Sequence, residues 1–137
     1  VPSRPKNITP VLQFLVVCRA IVPDSDGQIS FQGIFDSVGL PPLGDDTGIE
    51  FKFAVAAQFR GGTGPHRFWL IIQHPSGEEI TTPESTFWLA SKQAAHRVDL
   101  RLNTMIGNKE IGTIRLTAIL DGRPVMEVPI AVNAPGR

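Results

Sequence analysis

Ile49-Glu50-Phe51-Lys52-Phe53-Ala54-Val55-Ala56-Ala57-Gln58-Phe59-Arg60 decides the fold class. Ile49, Phe51, Phe53, Val55, Ala57 and Phe59 fall at every second position, with Glu50, Lys52, Ala54, Ala56, Gln58 and Arg60 between them. Successive side chains of a strand point to opposite faces, whereas a helix would scatter this set around its circumference. Residues 49–60 are therefore a predicted strand with one buried face.

The same alternation recurs downstream. Val98, Leu100 and Leu102 alternate with Arg97, Asp99, Arg101 and Asn103, and Ile114, Leu116, Ala118 and Leu120 repeat the pattern. Asp121-Gly122 then supplies a tight hairpin turn into a last strand over 124–132. Met126, Val128, Ile130 and Val132 are its predicted inward face. Pro129 cannot donate to a ladder, which makes this an edge strand or puts that position on an unpaired side.

Upstream, residues 11–21 form a nearly continuous apolar run between prolines, predicted as a central strand. Pro23-Asp24-Ser25-Asp26-Gly27 reads as a turn. A strand over 28–38 follows, with Ile29, Phe31 and Phe35 on one face and Gly33 between them, marking a bulge or a close backbone approach. Residues 39–48 are a proline-rich loop and residues 60–66 a glycine-rich one. Residues 67–73 and 86–90 read as strands, and 91–95 as a loop or a short helical turn. Eight such segments separated by turns predict an all-β fold, a two-sheet antiparallel β-sandwich of seven or eight strands. One domain is expected over 10–133, with a flexible arm over 1–9 and a short tail over 134–137.

Composition agrees with this class. A chain of 137 residues suits one domain able to bury roughly two thirds of its surface. With 42% hydrophobic and 19% charged residues it is not of disordered type, and its 13 glycines and 12 prolines favour many turns over long helices. Thirteen basic and thirteen acidic side chains cancel, which argues against nucleic acid or an anionic membrane as partner. Cys18 is alone, so no intrachain disulfide forms. The most apolar run, 11–22, contains Gln13 and Arg19 and is shorter than the roughly 20 residues that span a bilayer. No targeting signal is visible, and a cytoplasmic location is expected.

The chemical inventory is sparse. Asp24-Ser25-Asp26-Gly27 places two carboxylates in a turn, candidates for a weak calcium site that Asp45 and Asp46 join if the loops gather at one end. The full calcium-loop spacing is absent, and an ordinary turn is the simpler reading. His66 and His74 bracket one strand and so lie roughly 26 Å apart, too far for a shared metal. Gly61-Gly62-Thr63-Gly64 lacks the Lys-Ser or Lys-Thr of a phosphate loop. No nucleophile elbow is present, and Cys18 packs rather than attacks. No catalytic residue is assigned, an enzyme is the less favoured class, and no cofactor is implied.

Trp69 carries a different signal. If Phe68, Leu70 and Ile72 face the core, Trp69 and Ile71 face away and create an exposed apolar patch for a protein partner or a second subunit. Arg67 adjoins that patch, and Arg60, Arg97 and Arg101 are expected along its border.

The opening hairpin, with Cys18 in its first strand and then Gly27-Gln28-Ile29-Ser30-Phe31-Gln32-Gly33-Ile34-Phe35-Asp36, resembles a family of small uncharacterised bacterial β-sandwich proteins. Residues 53–59, His74-Pro75-Ser76-Gly77-Glu78 and the closing Leu120-Asp121-Gly122 extend the resemblance over about residues 12–132. The approach to the penultimate strand at 111–113 departs from the pattern. The resemblance implies a β-sandwich with Gly33 and Asp36 as structural signatures, Asp36 tying down a loop, and it implies no activity. Two function classes follow: a non-enzymatic binding or assembly module using a sheet face or end loops, and a small-ligand or calcium-binding sandwich.

Overall fold

The period-two stretch forms β5 at the centre of a three-stranded sheet in the computed structural model, which describes residues 7–136. Among these residues are eleven strands: β1 (Val11–Cys18), β2 (Ala20–Pro23), β3 (Ile29–Gln32), β4 (Ser37–Gly39), β5 (Gly48–Arg60), β6 (Gly64–Gln73), β7 (Glu79–Thr81), β8 (Ser85–Leu89), β9 (Ala95–Gly107), β10 (Gly112–Leu120) and β11 (Arg123–Asn133). The fold is all-β, with one short 3-10 turn at Asn108–Glu110. The strands form three sheets: β1-β5-β9, the six-stranded β4-β11-β10-β6-β7 with β8 also on β6, and the β2-β3 hairpin. Pairing is antiparallel except between β11 and β4. No helix is long and apolar enough to cross a membrane among the described residues.

Three expectations about the first half are corrected. The apolar run 11–21 is two strands, and β1 is an edge strand of its sheet rather than a central one. The break comes at Arg19, whose backbone N–H donates to the carbonyls of Gln32 and Gly33 at 2.9 and 3.1 Å and so turns the chain toward β3. The strand expected over 28–38 is likewise split: β3 ends at Gln32, where Gly33 leaves the extended conformation with a positive φ of 67°. The chain then crosses to the other large sheet as β4.

The alternation in β5 places Phe51, Phe53, Val55, Ala57 and Phe59 in one buried cluster with Phe68, Leu70 and Ile72 of β6 and Ile114, Leu116 and Ala118 of β10. That cluster therefore spans both large sheets. β5 was expected to bury only one face, yet Ala54 and Ala56 are buried on the other. The β2-β3 hairpin covers them: Cys18, Ile21, Ala54 and Ala56 form a second cluster with Phe14, Val16, Ile29 and Phe31 packed on it. Two small alanines leave room for that hairpin, which a period count on apolar residues does not register.

Elsewhere β6 starts at Gly64 and β9 runs from Ala95 to Gly107, both longer than expected. Residues 91–94 form a turn closed by Ala94 N–H to the Ser91 carbonyl rather than a helix. Asp121 and Gly122 make the expected tight hairpin with φ of 51° and 84°, the primed-turn geometry that matches strand twist. Pro129 sits on the side of β11 where β4 pairs only with residues 131–133. Met126, expected inward, is 41% exposed, because β11 has no outer neighbour there and its register slips at Ala118/Ile119. Of the arm expected over 1–9, residues 1–6 lie outside the described residues, and Ile8 bridges Thr63.

Candidate functional site

β6 divides its side chains between two environments. Phe68, Leu70 and Ile72 are buried in the core cluster, while Arg67 is exposed and Trp69 and Ile71 are half-buried on the outer face. Ile119 of β10 lies directly opposite Trp69 in the ladder and is only 6% exposed although it belongs to neither core cluster. Trp69, Ile71 and Ile119 thus make a small apolar island outside the core. On the same face of β8, Trp88 pairs with Pro65 and is 67% exposed.

Arg67 is held at this island from two sides. Its guanidinium carbon lies 5.6 Å from the Trp69 ring centre, and Nη1 is 3.4 Å from Glu84 Oε1. A cation over an indole face is attracted by the ring quadrupole, so the arginine is positioned without being withdrawn from solvent. The other expected border residues are elsewhere: Arg60 lies on β5, and Arg97 and Arg101 on β9, in the three-stranded sheet. Sequence spacing could not reveal this, since it does not tell which strands share a sheet.

The four aspartates are not brought together as a ligand set. The Asp24 carboxylate accepts from the Ser30 hydroxyl at 3.0 and 3.1 Å, and Asp26 Oδ1 accepts from the Gln28 backbone N–H at 3.4 Å, so both serve the β2-β3 turn. Asp45 and Asp46 line a cavity of about 200 Å³ with Met105, Lys109 and Glu110. Among the described residues, no group of three or more His, Cys, Asp or Glu is placed to hold a metal ion.

The histidines are held by hydrogen bonds and ring contacts. His66 is buried, with Nε2 2.9 Å from the Thr63 carbonyl and Nδ1 2.7 Å from Asp121 Oδ2. His74 is also buried, with Nε2 3.0 Å from Thr104 Oγ1. His96 stacks on Phe87 with ring centres 5.0 Å apart. Cys18 is fully buried, and burial pushes its thiol up from its ordinary value; the Ala20 carbonyl acts in the opposite direction and the Asp99 charge in the same one.

Of the two structural signatures, Gly33 has an evident reason. A Cβ there would sit 2.7 Å from Arg19 Cγ, and the Arg19 guanidinium continues on to lie over the Phe51 and Phe35 rings at 4.5 and 5.2 Å. At Asp36 it is the backbone carbonyl that accepts from Ala131 N–H at 3.0 Å, a bond open to any residue, and its side chain has no hydrogen bond or ion pair among the described residues. Asp121 was read only as a turn residue, and its bonds to His66 and to the Arg67 N–H were missed. No local signal joins positions 55 residues apart. No protein-family model matches the chain, and no curated protein matches it.

Proposed function

We propose that the protein is a non-enzymatic binding or assembly module whose contact surface is the outer face of the six-stranded sheet, centred on Trp69, Ile71 and Arg67. On this reading the two large sheets are the layers of a β-sandwich, and the β2-β3 hairpin is an addition on the far side. The observation that carries the proposal is the placement of Trp69 and the largely exposed Trp88 on one face, with Arg67 over the Trp69 ring. Tryptophan and arginine dominate the energetics of protein contacts because each offers large area with a polar handle. Isolated exposed apolar residues are ordinary; here Trp88, opposite Pro65, and the island of Trp69, Ile71 and Ile119 lie on one sheet face with Arg67 between them.

The test is capture of partners from lysate with the wild-type chain, Trp69→Ala and Trp88→Ala, followed by binding of the purified candidate. A protein bound directly by wild type and at least about tenfold more weakly by both variants supports the proposal, as expected for contact-centre tryptophans. Equal binding by all three folded proteins overturns it, as does the absence of any direct binder.

A further inference from the structure

We propose that two copies of this chain pair antiparallel through the outer edge of β9, in the register centred on Leu100, to give a continuous sheet β1-β5-β9-β9-β5-β1. β9 is the terminal strand of its sheet, and its 13 residues pair with β5 along one edge without a bulge, from Gly48↔Gly107 to Arg60↔Ala95. No strand pairs with its other edge among the described residues, although β8 packs against its N-terminal end, where His96 stacks on Phe87. A long edge is a template for a further strand unless it is blunted by shortness, proline, a bulge, a cover or charges that repel the incoming strand, and on β9 the charges alternate in sign.

Four other strands are blunted in these ways, and β8 offers an edge of only five residues. β4 and β7 have three residues each. β11 carries Pro124 and Pro129 and slips register. β1 has a bulge between Leu12 and Phe14, and its Val17 carbonyl is taken by Phe35 N–H. β9 has no proline and no bulge.

The side chains specify the occupant as a second copy. Arg97, Asp99 and Arg101 alternate along the outer face of β9, opposite Gln58, Ala56 and Ala54. Pairing two copies about Leu100 sets Asp99 against Arg101 of the other copy twice over, Val98 against Leu102, and Leu100 against itself. Opposite charges directly across an antiparallel pair are stabilising. Centring on Asp99 instead opposes like charges, and centring on Arg101 opposes the two Arg101 side chains. Centring on Val98 pairs Arg97 with Asp99 but shortens the overlap to residues 95–101. A one-residue slip would turn the apolar row of one copy against the charged row of the other.

Two further features fit. Arg101 is exposed and its side chain has no ion pair or hydrogen bond among the described residues, whereas Arg97 already holds both Asp99 oxygens at 2.8 and 3.1 Å. Those oxygens retain lone pairs for a second guanidinium. Leu100 and Leu102 are half-buried, while their partners Val55 and Phe53 are 0% and 3% exposed. The paired strand would cover the remaining apolar edge.

Charge exchange tests this register. Wild type is expected to sediment with the mass of two chains, and Asp99→Arg and Arg101→Asp, each set against its own like charge twice, as one chain. Mixing the two variants restores both opposite pairs and the two-chain mass. Trp69→Ala, on the other sheet, leaves the two-chain mass intact, so failure here and failure of the Trp69 reading are separable. As an independent readout, Leu100→Cys in a Cys18→Ala background forms a symmetric intermolecular disulfide, because opposed Cα atoms lie about 4.5–5.5 Å apart. This decides the matter if a charge variant does not fold. A wild-type chain of single mass at its highest soluble concentration overturns the proposal, as do two-chain species that survive both reversals or the absence of the Leu100→Cys link.

Discussion

The His66 imidazole and the Asp121 carboxylate meet at 2.7 Å and join the start of β6 to the β10-β11 turn. The second Asp121 oxygen accepts from Arg67 N–H at 2.8 Å, and the Asp121 N–H returns a bond to the Arg67 carbonyl at 2.9 Å. His66 is buried and its other nitrogen faces the Thr63 carbonyl, so both ring nitrogens depend on oxygen acceptors. Asp121→Ala removes one of these acceptors and puts at φ 51° a residue without the short polar side chain that makes the left-handed backbone tolerable for Asp and Asn. The expected loss is about 3 kcal/mol, from a charge-assisted bond at a buried group and the left-handed backbone. Asn tolerates that backbone and keeps an acceptor oxygen, so Asp121→Asn should lose about half as much. Urea unfolding of the three proteins checks the order; equal stability of wild type and Asp121→Ala would refute it.

How much of this was legible in the sequence depends on the range of the interaction. β5 was, because its alternation is local and one apolar face meets the opposing sheet. Ala54 and Ala56 read as the solvent side because alanine is weakly apolar, and residues distant in sequence, Phe14, Val16 and Cys18 of β1 with Ile21, Ile29 and Phe31 of the hairpin, bury them. Positions 104–107 extend β9 beyond its clear alternation because they pair with residues 48–51, at the other end of the β5 ladder. For the candidate surface, the outward phase of Trp69 followed from its neighbours, but Ile119 and Trp88 reach the same face only through strand pairing.

Gly33 and Arg19 form a testable pair. A methyl at position 33 meets Arg19 Cγ at 2.7 Å and must also adopt φ 67°. The left-handed backbone alone costs about 1–2 kcal/mol, and the contact adds to it. Gly33→Ala should therefore lose more than 2 kcal/mol, roughly. Arg19→Ala in the same chain removes the 2.7 Å contact with Cγ but leaves the Cβ at 3.0 Å and the backbone strain. A double-mutant cycle by denaturant unfolding should give a nonzero coupling that favours the double variant; strict additivity would show that the contact is relieved by side-chain movement alone.

Cys18 predicts an alkaline effect. Its thiol is raised by burial, so the folded chain keeps the proton at a pH where the unfolded chain, with an ordinary thiol near about 8.5, releases it. The unfolded state then binds fewer protons, and this group's contribution to stability falls as pH rises above the unfolded value. Cys18→Ala lacks that term. Its deficit relative to wild type at pH 7 should shrink at higher pH, by up to about 1.4 kcal/mol per pH unit between the unfolded and folded values. Unfolding curves at neutral and alkaline pH measure it, and a constant difference would contradict the prediction. A thiol reagent should label Cys18 only as the chain opens.

Trp69 and Trp88 separate folding from binding. Trp88 is 67% exposed, so Trp88→Ala should change stability by no more than about 0.5 kcal/mol. Trp69 is half-buried beside Ile119, and Trp69→Ala uncovers apolar surface on both residues at a cost of about 1.5 kcal/mol. If the outer face is the contact surface, both variants lose partner binding by about tenfold or more despite these unequal stabilities. A structural role alone would make the loss follow stability, with Trp88→Ala binding as wild type does. Thermal unfolding alongside titration of the purified partner distinguishes the two patterns, because only a shared contact surface makes the more stable variant bind as weakly as the less stable one.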